Sequence, residues 1–353
     1  MSDRAERLVG AVRDAGLDQF LVSDLTNVRY LCGFSGTNGA CLVGPDSKIF
    51  LTDFRYTERA AAEISGWQVE IVSGEWLTGL AAFFEGQVGF EDDHLTVRTA
   101  SKLKSASPEG VALVDAGGKV EGLRRIKEPE EIQKIAAAAK LTDVLYGEAV
   151  ERGLIGRTEA EISAYVVGRM REEGAEPSFP PIIASGPNGA SPHAEPGLRV
   201  VGKSELVTMD MGAILDGYCS DCTRTFATGV LEDRANEIYE VTLAANEKAL
   251  KAVRAGAIAS DVDAVARDLI AEAGYGENFG HGLGHGVGLE VHEAPRLGMR
   301  SNDVLAAGDV VTVEPGIYIG GFTGVRIEDM VVVGDEGVAR NFASVTKTLT
   351  YVD

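Results

Sequence analysis

The stretch from 281 to 328 constrains this chain more than any other. It opens with His281-Gly-Leu-Gly-His285-Gly-Val-Gly, runs through Val-His292-Glu and Val-Glu314-Pro-Gly, and closes on Gly-Val-Arg326-Ile-Glu328-Asp. Alternating glycines around His285 let one backbone approach another closely. Upstream, Asp210-Met-Gly-Ala and Tyr-Cys-Ser-Asp221-Cys-Thr-Arg-Thr supply two more carboxylates. Four carboxylates and one imidazole make a hard, oxygen-rich donor set, suited to Mn(II) or Co(II), with Zn(II) as the alternative. Two such ions about 3.5–4 Å apart hold a bridging hydroxide at neutral pH and polarise a carbonyl. One buried carboxylate alone is usually solvated or paired, so the conjunction carries the argument. Three of the five histidines (281, 285 and 292) fall in these motifs, His193 ends a further one, Gly186-Pro-Asn-Gly-Ala-Ser-Pro-His193, and His94 reads as a surface or capping residue.

At 353 residues the chain exceeds one ordinary core, which predicts two domains. Net charge is −21, with 33 Lys and Arg against 54 Asp and Glu. Such a surface repels phosphate backbones and argues against nucleic acid as a partner. No apolar run reaches the roughly 20 residues that span a bilayer. The first residues lack a signal peptide's apolar centre, so a cytoplasmic protein away from membranes is the expectation. The four cysteines (32, 41, 219 and 222) are too few for a disulfide scaffold. Cys219 and Cys222 form a C-x-x-C inside a strand-like run, without the second pair that a zinc ribbon needs. Gly197 to Ser204 matches the phosphate-loop pattern G-x-x-x-x-G-K-[ST], but it precedes a β-rich segment where a phosphate loop opens a helix. It is read as a chance match.

The pattern along the chain predicts a mixed α/β domain over 1–124, with helices over 3–15, 56–64, near 75–85 and over 96–104. Its strands fall at 20–23, 27–34, 40–43, 49–52, 69–72, 88–90 and 112–114, with a hairpin around Gly44-Pro-Asp-Ser-Lys. Gly117–Lys127 reads as a boundary, and a second domain occupies 125–353. Glu128-Pro-Glu-Glu starts a helix to about Val150, and Thr158-Glu-Ala-Glu161 is a capping box for another reaching Glu172. Strands follow over 205–212 and 219–227, joined by a turn at Asp216-Gly217. Helices over 231–254 and 260–273 lead to strands at 309–313 and 324–333. In unbroken strands Cys219 and Asp221 share one face, as do Arg326 and Glu328. Each strand pair carries two carboxylates, suggesting a pseudo-twofold core.

These motifs resemble the pita-bread metallopeptidases, in the branch of Xaa-Pro aminopeptidases (aminopeptidase P) and Xaa-Pro dipeptidases (prolidases). The resemblance covers most of the chain, and Thr52-Asp-Phe-Arg-Tyr56 with the 35–40 turn is similar to the creatinase-type front domain of small bacterial members. It implies an α/β (α+β) fold, a pita-bread catalytic domain behind a smaller creatinase-like one. It implies that Asp210 and Asp221 hold one metal ion, that His285 and Glu314 hold the other, and that Glu328 bridges. Glu314 would also shuttle protons, His193 and His292 would contact substrate and the developing oxyanion, and Arg326 would orient carboxylates. His281, Phe179 and Arg296 would line the substrate pocket. The sequence departs from the common Gly-Asp before the first metal strand, carrying Gly202-Lys-Ser-Glu205 instead.

The implied reaction is hydrolysis of the bond between an N-terminal residue and a following proline, a tertiary amide with no N–H to grip. The front domain inclines the reading to aminopeptidase P, with a dipeptide-restricted prolidase as the alternative, its substrate carboxylate met by Arg296 or Arg300. An inactive peptide-binding module on the same fold would have lost ligands, whereas all five positions are filled. A homodimer is a family-level expectation.

Overall fold

The computed structural model describes residues 4–73, 76–334 and 339–353. Two compact units emerge, Met1–Arg124 and Arg125–Asp353. Residues 3 and 75, included in the helices expected over 3–15 and 75–85, lie outside the described residues.

The first unit contains α1 (Arg4–Asp14), β1 (Gln19–Val22), α2 (Leu25–Cys32), β2 (Ala40–Gly44), β3 (Ser47–Asp53), α3 (Thr57–Glu63) and β4 (Gln68–Val72). It continues with α4 (Trp76–Gly79), β5 (Gln87–Phe90), α5 (Val97–Ala106) and β6 (Ala112–Asp115). The six strands form one mixed sheet in the order β4-β3-β2-β1-β5-β6. Leu21, Leu42, Leu51, Leu80 and Val88 are among its buried apolar side chains. One expectation fails here: residues 27–34 are not a strand. Asp24 caps α2 by accepting the Thr26 amide at 2.8 Å, and Gly33 ends it in the left-handed region at φ 83°. Asn27, Val28, Tyr30 and Leu31 are then buried at helical spacing. The boundary stretch also holds a helix, α6 (Lys119–Arg125).

The second unit repeats one plan twice. Helices α7 (Pro129–Glu151) and α8 (Glu159–Glu172) precede β7 (Glu176–Pro177), β8 (Ile182–Ser185), β9 (Leu206–Met211), the hairpin β10 (Ala213–Leu215) and β11 (Tyr218–Cys219), and β12 (Cys222–Ala227). Helices α9 (Asp233–Ala252) and α10 (Ala259–Glu272) precede β13 (Gly284–Gly286), β14 (Glu293–Leu297), β15 (Val310–Val313), the hairpin β16 (Gly316–Ile319) and β17 (Thr323–Arg326), and β18 (Asp329–Val332). A short β19 (Arg340–Asn341) adds to β18. In the first half β9 pairs with β8 and β12, and in the second β15 pairs with β13 and β18, all antiparallel. The capping box expected at Thr158 is formed, and Glu128 with Glu131 forms a second one. Apolar residues of α7 and α8 pack with Ile183, Val207, Met209 and Phe226. Those of α9 and α10 pack with Val311, Val313, Val325 and Val331. Each such aliphatic side chain contributes about 1.5–3 kcal/mol by leaving water. No helix among the described residues is long and apolar enough to cross a membrane.

The strands expected at 219–227 and 324–333 are both broken. Ser220 and Asp221 lie between β11 and β12, and Ile327 and Glu328 lie between β17 and β18. Strand alternation therefore does not set the facing of Cys219 against Asp221, or of Arg326 against Glu328. The first break is held by Ala213 N donating to Ser220 Oγ at 2.9 Å and by Ser178 Oγ donating to Ser220 O at 2.9 Å. It is also crowded. A Cβ on Gly212 would collide with the Ser220 carbonyl and lie 2.8 Å from Ser178 Oγ. We expect Gly212→Ala to cost about 1–3 kcal/mol, because the obstacle is backbone. Gly147→Ala, in open space on α7, should instead gain about 0.5–1 kcal/mol. Calorimetric melting of both checks this, and a Gly212→Ala protein melting like the parent would refute the close approach.

Candidate metal centre

The two breaks and the ends of the central strands bring the sequence-predicted ligands together. Asp210 sits on β9, Asp221 just before β12, His285 within β13, Glu314 just after β15 and Glu328 just before β18. His285 Nε2 lies 3.2 Å from Glu314 Oε1 and 3.6 Å from Asp221 Oδ2. Ligand atoms of Asp221, His285 and Glu328 all fall within 4.8 Å of one another. Asp210 joins them through charge, acting on Asp221, Glu328 and His285. The halves are stitched here by Glu328 N donating to Thr223 O at 3.1 Å. The close approach expected of the glycines is present: a Cβ on Gly284 would strike the Thr312 carbonyl, and one on Gly286 the Ala294 carbonyl.

Four of the five candidate ligands are oriented by a neighbour. His285 Nδ1 donates to the Gly286 carbonyl at 3.1 Å, which leaves Nε2, facing Glu314 Oε1 and Asp221 Oδ2, as the nitrogen a cation would take in place of its proton. Thr312 Oγ1 accepts the His285 amide at 3.0 Å and donates to Glu314 Oε1 at 3.0 Å. Thr223 Oγ1 accepts from Arg326 Nε at 3.0 Å and donates to Glu328 Oε2 at 2.7 Å. Arg326 also donates to Asp210 Oδ2 at 2.5 Å, to the Tyr318 hydroxyl at 2.9 Å and to the Pro192 carbonyl at 3.2 Å. Behind Glu328, buried Arg224 donates to its carbonyl and pairs at 2.9 Å with Asp329, which Lys347 meets from its other side at 2.6 Å. Breaking such a buried pair by removing one partner typically costs about 3–5 kcal/mol.

The electrostatics leave a shortage of positive charge. Burial, then the neighbouring carboxylates, pushes Asp221 and Glu328 well above the usual carboxylate range. Burial also raises Asp210, although Arg326 opposes it. Burial works against the charge on Glu314 too, but the hydrogen bond and charge of His285 outweigh it and bring Glu314 down to about 2. Asp210 Oδ1 is buried without a hydrogen-bond partner. An orphaned carboxylate oxygen, an imidazole nitrogen set between two acids and crowded carboxylates are what divalent cations would satisfy. The donor set fits such ions.

The remaining predicted residues spread around this cluster. The His292 ring stands edge-on to His285 at 4.3 Å between centroids, and it is exposed. His193 is exposed and close enough for its charge to lower the His292 pKa, after burial and His285. His281 Nδ1 donates to the Gly282 carbonyl at 2.8 Å, so its Nε2 accepts the Tyr318 hydroxyl at 2.9 Å. Burial keeps His281 neutral and raises Tyr318 to about 12, so the ring offers a surface rather than a charge. Arg296 is exposed and stands opposite His285 in the β13–β14 ladder, where paired residues share a face. Phe179 is half-buried beside Ser178, and none of the described interactions joins it to the cluster. Cys219 and Cys222 are free, buried thiols, Cys219 pushed up to about 12 by burial, with neither the pairing nor the acidity of a redox motif. The phosphate-loop lookalike runs as loop from Gly202 to Glu205 into β9, with no helix after it.

Sequence reading missed Thr223, Thr312 and Tyr318 as orienting groups. Thr312 stands two residues from Glu314 at the end of β15, a spacing that puts it on the same side, whereas strand breaks separate Thr223 from Asp221 and Tyr318 from Glu314, so spacing gives no signal for them. Arg267 was missed as well. From α10 it donates to the carbonyls of Phe279 at 2.9 Å and His281 at 2.7 Å while paired with Asp263, which fixes the segment entering the site.

Comparison with known proteins agrees with this geometry. Residues 133–335 match metallopeptidase family M24, and residues 4–126 match the creatinase/prolidase N-terminal domain. The chain is 35% identical to the Xaa-Pro dipeptidase of Pyrococcus furiosus, over 96% of this chain and 97% of that one. The solved structure of an Xaa-Pro dipeptidase from Bacillus anthracis superposes with a TM-score of 0.95 at 39% identity, covering 99% of both chains. An X-Pro aminopeptidase from Thermotoga maritima gives 0.90 at 34% identity, over 99% of this chain and 100% of that one. With a creatinase-type domain in front and a pita-bread domain carrying the clustered acids behind, this chain belongs to metallopeptidase family M24 and is a hydrolase of that family.

Proposed function

We propose that the protein is a two-metal Xaa-Pro dipeptidase, splitting the bond between an N-terminal residue and a C-terminal proline. The observation that carries this is the buried cluster of Asp221, His285 and Glu328, completed by Asp210 with its orphaned oxygen and by Glu314. Asp210 and Asp221 would hold one ion, His285 and Glu314 the second, and Glu328 both. Mn(II) or Co(II) suits this set, with Zn(II) as the alternative. Bound there, the ions supply an activated water and polarise the scissile carbonyl.

The chain's own groups do the rest. Glu314 takes up a proton on its carboxylate and returns it to the proline nitrogen as the C–N bond breaks. His292, edge-on to His285, and His193, within charge range of His292, are both exposed and donate N–H groups toward the oxygen that becomes negative. The neutral His281 ring, held by Tyr318 and edged by Phe279 at 5.0 Å, offers the apolar wall that a pyrrolidine needs. Arg326 keeps Asp210 and Glu328 in place through direct contact and through Thr223.

Dipeptide restriction, here placed ahead of the aminopeptidase P reading, is supported by the dipeptidase relatives and by the place of Arg296. Opposite His285 on the same sheet face, its guanidinium can meet the free carboxylate of a C-terminal proline. The X-Pro aminopeptidase from Thermotoga maritima keeps the second reading in view, which would require the cleft beyond proline to be open.

After chelation and reloading with Mn(II) or Co(II), we expect a Xaa-Pro dipeptide to be cleaved faster than a matched Xaa-Pro-Xaa tripeptide. Faster tripeptide cleavage would assign the aminopeptidase instead, and no cleavage with metal bound would end the peptidase reading. Chelation alone should abolish turnover, and metal return should restore it and raise the melting temperature; metal-independent turnover would count against the cluster. Losing a hydrogen-bonded charge contact costs about 1.5–3 kcal/mol. Arg296→Ala should accordingly raise KM for the dipeptide about 10- to 100-fold with kcat little changed, and steady-state kinetics showing no change would remove Arg296 from the pocket. A homodimer is proposed with it, and sedimentation as a monomer at micromolar concentration would exclude that.

A further inference from the structure

One buried carboxylate outside the metal cluster organises the segment that carries His193. Glu159 is the first residue of α8 and is 0% exposed. Its Oε1 accepts the Ser185 amide at 2.8 Å and the Ser185 hydroxyl at 2.7 Å. Asn188 Nδ2 donates to both carboxylate oxygens, at 3.1 and 3.0 Å, and Gly197 N donates to Oε2 at 3.2 Å. One side chain thus ties together the two ends of the 186–197 segment.

The start of α8 reinforces the tie. Its first amides, those of Glu159 and Ala160, donate to the carbonyls of Arg199 and Gly197, each at 3.0 Å. They are amides that a helix leaves without internal partners. The middle of the segment faces the metal cluster. Pro192, the residue before His193, accepts from Arg326, and Gly189 lies so close to Gly324 that a Cβ on Gly324 would strike the Gly189 carbonyl. With its ends fixed by Glu159 and its centre seated on Arg326, the segment has one available path, and that path sets where His193 stands.

We propose that Glu159 is a positioning residue for His193, acting on the reaction through the 186–197 segment without touching substrate. This rests on the peptidase reading for its kinetic test alone. Glu159→Gln keeps the volume, but an amide has one acceptor oxygen, and its NH2 must face donors from Ser185, Asn188 or Gly197. A catalytic group displaced by about 1 Å can lose about 100-fold in rate.

The test is a double-mutant cycle on the metal-loaded full chain with a Xaa-Pro dipeptide, paired with hydrogen exchange. Glu159→Gln should lower kcat/KM about 10-fold or more where His193 is present, and by less than about 2-fold in a His193→Ala background. Equal loss in both backgrounds, or no loss in either, overturns the proposal. Exchange over 186–198 should quicken in Glu159→Gln while β9 keeps its protection, and unchanged exchange there overturns the proposal. If Glu159→Gln does not fold, Asn188→Ala, which removes the middle contact and leaves Ser185 held, takes its place under the same criteria. Should the parent enzyme cleave no Xaa-Pro peptide, the peptidase reading falls, and the exchange result still decides the placement of the segment.

Discussion

Four carboxylates crowded out of water around one imidazole govern the catalytic domain. Like charges at this separation resist ionisation together, and burial makes the resistance stronger. The protein answers with one guanidinium, Arg326, which reaches Asp210 directly and Glu328 through Thr223. Further back, Arg224, Asp329 and Lys347 fix the backbone around Glu328 from behind. These fixed charges hold geometry and leave the acids short of countercharge, which is the condition for binding cations tightly.

That condition accounts for the local architecture. A continuous strand would send Asp221 and Glu328 wherever alternation dictates, whereas a break before each return strand frees the residue to be aimed. The breaks are made by specific contacts, Ser178 and Ala213 on Ser220 in one half and Thr225 on the Arg326 carbonyl in the other. Glycines at 212, 284 and 286 then let neighbouring backbones close in where a side chain would keep them apart.

The ligands were legible because their chemistry is written in residue type. Acids beside glycines in apolar stretches bring carboxylates out of water, where a cation is the natural counterweight, and Asp221, His285 and Glu328 lie within 4.8 Å of one another with Glu314 beside His285. The two-half plan was also visible, since each half repeats its spacing of strand, turn and strand. One miss was local, and the others depend on partners far apart in sequence. Residues 27–34 look like a strand from their apolar content, and only Asp24 and Gly33, acting as caps, turn them into a helix. Glu159 looks like an ordinary acid in the first turn of a helix, where the dipole favours it. Its buried role appears only once Ser185, Asn188 and Gly197 are brought to it. Thr223 and Thr312 were hidden for the same reason, because a threonine on a strand announces β propensity and nothing more.

The twofold plan also bears on how the chain is born. Asp210 and Asp221 leave the ribosome about a hundred residues before Arg326, Glu314 and Glu328, and some sixty before His285. During that interval the first pair of acids has neither its guanidinium nor its imidazole. At synthesis rates of roughly 5–20 residues per second the wait lasts seconds. The first half can therefore keep these acids in water, or protonate them, until the second half arrives. Closing the charge-poor centre, which needs residues of both halves, is thus a late event in the life of the chain.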